Sequence, residues 1–286
     1  MRPYVFFLIL FFPAFAFSQK TTPEPPRHVA EDRFTGTGHA PDIPTDRTLL
    51  EQCGDAYGRL RQWDKAAECY RELTLQYPGV ADYHYKYGGV LGMIALENKV
   101  KAIGLVGHIK KAFKKAALLD AKHKAVRWAL VELYMQLPGI LGGSRQKALH
   151  YATELEQLSK AEGCLAKGYI YEYGNNDKDA ALHYALALKN LHTLKNPSEN
   201  RLRYKAGKLC GDHNTKLDEG IRYLEEYIRY HTPRDPVALH VVYCEIAKLY
   251  RLKNEKEKAL SWIRKALDSG ADPETTLKEK ARIEML

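Results

Sequence analysis

One spacing recurs along this chain and constrains its fold more than any other feature. From Gly54, Tyr57 follows three residues on, Ala66 nine further, Tyr70 four more and Pro78 eight beyond that. The same offsets restart at Gly168, with Tyr171, Ala180, Tyr184 and Ala187, and again at Ala247, with Tyr250, Ala259, Ile263 and Ala266. A repeat of about 34 residues is the length of one helical hairpin. A single hairpin cannot bury its apolar face, so such units must stack on their neighbours. From Thr48 onward, Ala, Leu, Lys and Glu dominate and β-branched runs are short, which is helical patterning throughout. A small residue on the first helix allows the second to cross closely, and the aromatic three residues later is expected to fill the gap between them. The Ala and the aromatic of the second helix are expected to pack on the next unit.

This order of small residue, aromatic, Ala, aromatic and Pro resembles the tetratricopeptide repeat (TPR). The resemblance covers about residues 47–286. It implies an all-α, right-handed α-α superhelical solenoid of about six helix-turn-helix repeats. Their expected spans are about 47–80, 81–123, 124–160, 161–199, 200–236 and 240–273, with a capping helix over 274–286. Three repeats are degenerate. The second is about nine residues too long, with the excess at 97–107 read as an irregular turn that lengthens both helices. The third carries an enlarged turn over 136–144, where Pro138 and three Gly oppose a helix. The fifth is one residue long between Cys210 and Lys216.

The first 46 residues are of another kind. Arg2 and the apolar stretch Tyr4–Phe17, with small residues at Ala16 and Ser18, read as a signal peptide over 1–18 cleaved before Gln19. The stretch is shorter than the ~20 residues a spanning helix needs. Its style resembles export signals of Bacteroidetes. Residues 19–46, with Pro23, Pro25, Pro26, Pro41 and Pro44, read as a linker. Export raises the question of disulfides. Five Cys are too few for a disulfide scaffold, although Cys53 and Cys69 fall on the two helices of the first hairpin.

Catalytic patterns are lacking. Gly142-Gly143-Ser144 has neither the Lys nor the strand of a phosphate loop, and neither G-x-S-x-G nor H-E-x-x-H occurs. Cys210 and His213 have ligand-like spacing but no second ligand pair, so no metal site and no cofactor are expected. The net charge of +9 comes from charges spread along helices, without a dense basic run, and points away from nucleic acid.

In the TPR resemblance, first helices line a concave groove. Carried onto this chain, the groove positions are Glu51, Asp55 and Arg59, then Tyr85, Lys86 and Gly89, Trp128 and Glu132, Leu165, Tyr169 and Glu172, Tyr204, Lys205 and Lys208, and Cys244, Lys248 and Arg251. The expected groove is acidic at first, aromatic in the middle and basic at the end. Tyr85, Lys86, Trp128, Glu132, Tyr169, Tyr204, Lys205, Lys208, Lys248 and Arg251 are the expected partner-binding residues. Glu51 and Asp55 depart from the Lys/Asn/Arg clamp with which some TPR domains hold a terminal carboxylate. The implied function is a non-catalytic scaffold in the periplasm, binding a protein or peptide with an acidic segment. The competing reading is an accessory component of a solute transporter or secretion system that holds a small ligand or a binding protein.

Overall fold

The computed structural model describes residues 46–191, 200–232, 235, 237–270 and 272–286. The expected signal peptide and all but the last residue of the linker lie outside these residues. Thirteen α-helices are present, with no strand among the described residues. The chain divides into two compact units, one ending at Ser144 and the other beginning at Arg145. The division falls inside the expected third repeat.

The first unit holds α1 (Arg47–Arg59), α2 (Trp63–Gln76), α3 (Ala81–Glu97), α4 (Lys99–Leu119), α5 (Lys124–Gln136) and a 3-10 turn over Gly139–Leu141. Each helix packs on the next. Leu50, Tyr70, Leu73, Val90, Phe113, Val126, Trp128 and Leu130 form its interior. The excess length of the second repeat is not an irregular turn. Only Asn98 is non-helical, and its side chain accepts from the backbone N–H groups of Val100 and Lys101, capping α4. The additional residues therefore go into helix: α3 has 17 residues and α4 has 21. At 136–144 the chain turns through the 3-10 segment. The Ser144 N–H returns to the Tyr134 carbonyl at 2.9 Å, and the Lys110 ammonium donates to the Leu141 carbonyl.

The second unit holds α6 (Arg145–Leu158), α7 (Lys160–Tyr173), α8 (Asp177–Leu191), α9 (Asn200–Asp212), α10 (Leu217–Tyr230), α11 (Leu239–Leu252), α12 (Lys256–Asp268) and α13 (Pro273–Glu284). Sequential helices pack on one another, and α11 also touches α9 and α13. Thus α9, α11 and α13, the first helices of their hairpins and the closing helix, form one layer. Ile283 of α13 is fully buried in a cluster with Ala247, Ala259 and Ile263.

Four hairpin turns share one geometry. Arg61, Asn175, Asn214 and Asn254 each lie two residues past the end of a first helix, with φ between 46° and 62°. In each, the following N–H bonds five residues back: Gln62 to Tyr57, Asn176 to Tyr171, Thr215 to Cys210 and Glu255 to Tyr250, at 2.9–3.0 Å. This double-bonded end with a left-handed residue stops the helix and turns the chain. Asn tolerates that conformation, so three of the four turns carry it.

Candidate functional site

Small residues decide how closely the paired helices cross. A Cβ placed on Gly54 would lie 2.9 Å from the Tyr70 ring, one on Gly168 2.3 Å from the Tyr184 ring, and one on Gly207 2.3 Å from Leu224 Cγ. In α3 and α4, a Cβ on Gly88 would lie 2.8 Å from the Phe113 ring. The second-helix aromatic is therefore seated on the glycine of its own hairpin and not only on the next unit. The aromatic three residues after the glycine lies between the two helices, as expected: Tyr250 packs against the cluster of Ala247, Ala259 and Ile263, and Tyr171 stacks on His183 of α8 at 5.2 Å. Tyr57, Tyr171 and Tyr250 are half-buried, and each lies under a cation: Lys65 at 5.3 Å, Arg145 at 4.9 Å and Lys258 at 5.4 Å from the ring centres.

Three of the four matching turns close hairpins packed on a glycine, and in the fourth Ala247 takes its place beside Ile263. The chain has the tetratricopeptide-repeat fold. A solved relative of the same fold is a chain of the APC/C hetero-tetramer Cut9–Hcn1, with TM-score 0.53 and 16% identity over 82% of this chain and 42% of that one. Others are a tetratricopeptide repeat protein from Parabacteroides merdae (TM-score 0.49, 13% identity, 85% of this chain and 86% of that one) and YrrB, described as a TPR protein with an unusual peptide-binding site (TM-score 0.40, 16% identity, 76% and 100%). No family model and no curated protein matches the sequence.

In the first unit, the TPR first helices hold most of the expected groove residues in the interior. Trp128 is 1% exposed and Glu132 is 0% exposed, and Tyr85 is buried with its ring 6.1 Å from Phe113 and 4.9 Å from His123. Lys86 is likewise buried. Its ammonium lies 2.9 Å from Asp55 Oδ1 and 5.4 Å from the centre of the Tyr70 ring, while the Tyr70 hydroxyl donates to the same carboxylate. Asp55 and Lys86 were expected to face a partner from neighbouring repeats. The structure joins them to each other as a hydrogen-bonded pair between α1 and α3. Glu51 accepts from the Tyr83 hydroxyl and pairs with Arg47 at 3.5 Å.

In the second unit, Tyr169 and Tyr204 are buried and Lys205 is half-buried. Lys208, Lys248 and Arg251 line the α9–α11–α13 layer, where they meet three carboxylates that the repeat spacing did not single out. Lys208 lies 2.7 Å from Asp212 and 3.6 Å from Glu245; Lys248 lies 2.5 Å from Asp212 and 3.8 Å from Glu245. Arg251 Nε donates to Glu279 of α13 at 2.6 Å, and Arg282 pairs with the same residue at 3.1 Å. The two Lys and two carboxylates of the first group balance. Burial acts against the Asp212 carboxylate, but Lys208 and Lys248 outweigh it and hold Asp212 below the usual range. Burial pushes Glu245 above its usual range against the pull of the same two Lys. Burial also disfavours the Lys208 ammonium, yet Glu245 and Asp212 raise it above its ordinary value. The expected basic end of the groove is thus an ion ladder, with Lys208, Lys248 and Arg251 each already facing an acid. Lys208 with Asp212 (i, i+4) and Glu245 with Lys248 (i, i+3) were legible as helix pairs. The Arg251–Glu279 pair, 28 residues apart, had no local signal.

Cys210 and His213 do not converge on a metal-like arrangement. Cys210 is fully buried, and burial pushes its thiol up to about 12. His213 faces Glu172 at 3.9 Å and the Tyr184 ring at 4.9 Å. No group of three or more His, Cys, Asp or Glu that could hold a metal occurs among the described residues. Cys53 and Cys69 are free thiols, and burial pushes Cys69 to about 12. No described helix is long and apolar enough to cross a membrane.

Proposed function

We propose that this chain is a non-catalytic scaffold that holds a protein or peptide partner across the first-helix layer of its second unit, in the cell envelope. The ion ladder of Lys208, Asp212, Glu245, Lys248, Arg251 and Glu279 carries this reading. It sets partly exposed, alternating charges on three adjacent helices, where a polypeptide could exchange ion pairs with it. An acidic segment of the partner would compete with Asp212 for Lys248, which is only 25% exposed yet reachable. The positive net charge favours encounter with such a segment. The envelope setting rests on the apolar leader before Gln19.

The test is affinity capture of the full chain from native envelopes with quantitative mass spectrometry, using the natural sequence and the double variant Lys208→Ala/Lys248→Ala. A specific partner recovered at least tenfold less by the variant is the expected result. Equal recovery of every partner by both would remove the first-helix layer from the account. Sequencing the N-terminus of the exported chain checks the setting: a start at Gln19 is expected, and a retained leader would contradict cleavage.

A further inference from the structure

The lengthened helix α4 carries a surface that its own fold does not use. Its inner side is settled by Val106, Ile109, Ala112, Phe113 and Ala116, all buried. On the outer side Val100 is 87% exposed, Ile103 68% and Leu118 80%. Gly104 and Gly107 lie on the same side, and a Cβ on either would meet nothing within 4 Å. Nothing in the fold therefore requires a glycine at these two mid-helix positions, where glycine weakens a helix. What the two positions provide is a flat strip beside two exposed aliphatic side chains.

The next turns of the same side are basic. Lys111, Lys114 and Lys115 are exposed and make no ion pair among the described residues, and α4 contains neither Asp nor Glu from Lys99 to Leu119. This contrasts with the second unit, where Lys208, Lys248 and Arg251 are matched by acids. Taking 100° per residue, Val100, Ile103, Gly104, Gly107, Lys111, Lys114 and Lys115 all fall within one face of the helix. An open cleft of about 470 Å³ lined by Trp63, Ile94, Glu97 and Lys101 adjoins the apolar end.

From this arrangement we infer that the outer face of α4 docks an acidic amphipathic helix of a partner protein. Its aliphatic end packs along Val100, Ile103 and the two glycines, and its carboxylates face Lys111, Lys114 and Lys115. The glycines let the backbone of the incoming helix approach closely, and the unmatched ammoniums set its charge and direction. A lipid surface fits less well. On an interfacial helix the apolar and basic groups divide around the circumference, whereas here Val100 and Ile103, then Lys111, Lys114 and Lys115, then Leu118 share one side. The surface uses none of the residues of the proposed function and stands or falls without it.

The test uses the full chain and two labelled 18-residue helical peptides. One has Leu and Ala at one end and Glu at the other; its twin carries Lys in place of Glu. Fluorescence anisotropy at low and high salt is expected to show the acidic peptide binding at least tenfold more tightly than its twin, with the difference shrinking in high salt. Lys111→Glu/Lys114→Glu/Lys115→Glu should weaken binding at least tenfold, and Val100→Ser/Ile103→Ser several-fold, with helical circular dichroism unchanged in both. Gly104→Ala/Gly107→Ala should weaken binding while raising the melting temperature, which separates docking from folding. The inference is overturned if the acidic peptide does not bind, if the twins bind alike, or if the Lys variant binds as the natural chain does. It is also overturned if phosphatidylglycerol vesicles, and not the peptide, bind through these residues, or if sedimentation shows that the face joins two copies of this chain.

Discussion

Replacing Gly163 by Ala sets two well-defined effects against each other. Gly163 lies in the first turn of α7, where that helix crosses α6. A Cβ there would sit 2.2 Å from both Cα and Cβ of Glu156 and 2.5 Å from its backbone nitrogen. Two of these are main-chain atoms and Cβ is fixed to them, so no side-chain rotation relieves the overlap, and the helices must separate by about 1 Å to restore ordinary contact. Overpacking of this kind costs about 1–3 kcal/mol, and the absence of a rotamer escape puts it at the upper end. Ala in place of Gly in a helix returns about 1 kcal/mol. The separation would also disturb the carboxylate of Glu156, which holds Lys160 and Lys167 at 2.5 Å each. The net expectation is a loss of about 2 kcal/mol. It is measured as a lower urea midpoint in circular dichroism at 222 nm. Gly104→Ala is the control: its surroundings are open, so only the propensity gain remains, and stability should rise by about 0.5–1 kcal/mol. If Gly163→Ala were as stable as the natural chain or more so, close helix crossing would not be what the glycine provides.

Three further outcomes follow from the same geometry. Asp55→Ala would leave the Lys86 ammonium buried without its carboxylate and should cost about 3–5 kcal/mol, whereas Asp55→Leu/Lys86→Met should cost far less in the same urea titration. Arg61→Asn gives the left-handed turn position the residue its three counterparts carry, and should raise the melting temperature by an amount equivalent to about 0.5 kcal/mol. Lys160 and Lys167 hold Glu156 down at about 2, below its unfolded value of about 4.3. Its stabilising effect is therefore present above pH ~4.3 and disappears as pH falls towards 2. Lys160 is 61% exposed, so screening reduces the contribution to about 1 kcal/mol; Glu156→Gln should remove that much at pH 7 and flatten stability between pH 4.3 and 2.

The hairpin fold was legible because its signal is local and repeated. Gly54 and Tyr70, like Gly168 and Tyr184, are 16 residues apart, and both pairs meet across their crossings. Gly207 meets Leu224 17 residues on, matching the one-residue excess read between Cys210 and Lys216. Gly163 carried no such signal, because its neighbour is main chain and any residue type at 156 supplies it. The lengthened second repeat was legible as excess length that goes into both helices, but the irregular turn expected over 97–107 shrinks to Asn98 alone, whose side chain caps α4. Groove positions carried over from other repeats gave the register of Lys86, Trp128 and Lys248 but not their surroundings. Whether a first-helix cation faces solvent depends on the acid opposite it, as Asp55 is to Lys86 and Asp212 to Lys248, and that pairing is set by three-dimensional packing.

The most direct test of a partner-holding scaffold is lysine-reactive cross-linking of the complex captured from native envelopes, followed by mass spectrometry. Cross-links to another protein are expected to concentrate on Lys208 and Lys248 of the first-helix layer and on Lys111, Lys114 and Lys115 of α4. Lys258 and Lys265 of α12 should be poor in them. An even spread over the lysines, or a chain recovered with no partner at all, would contradict the account.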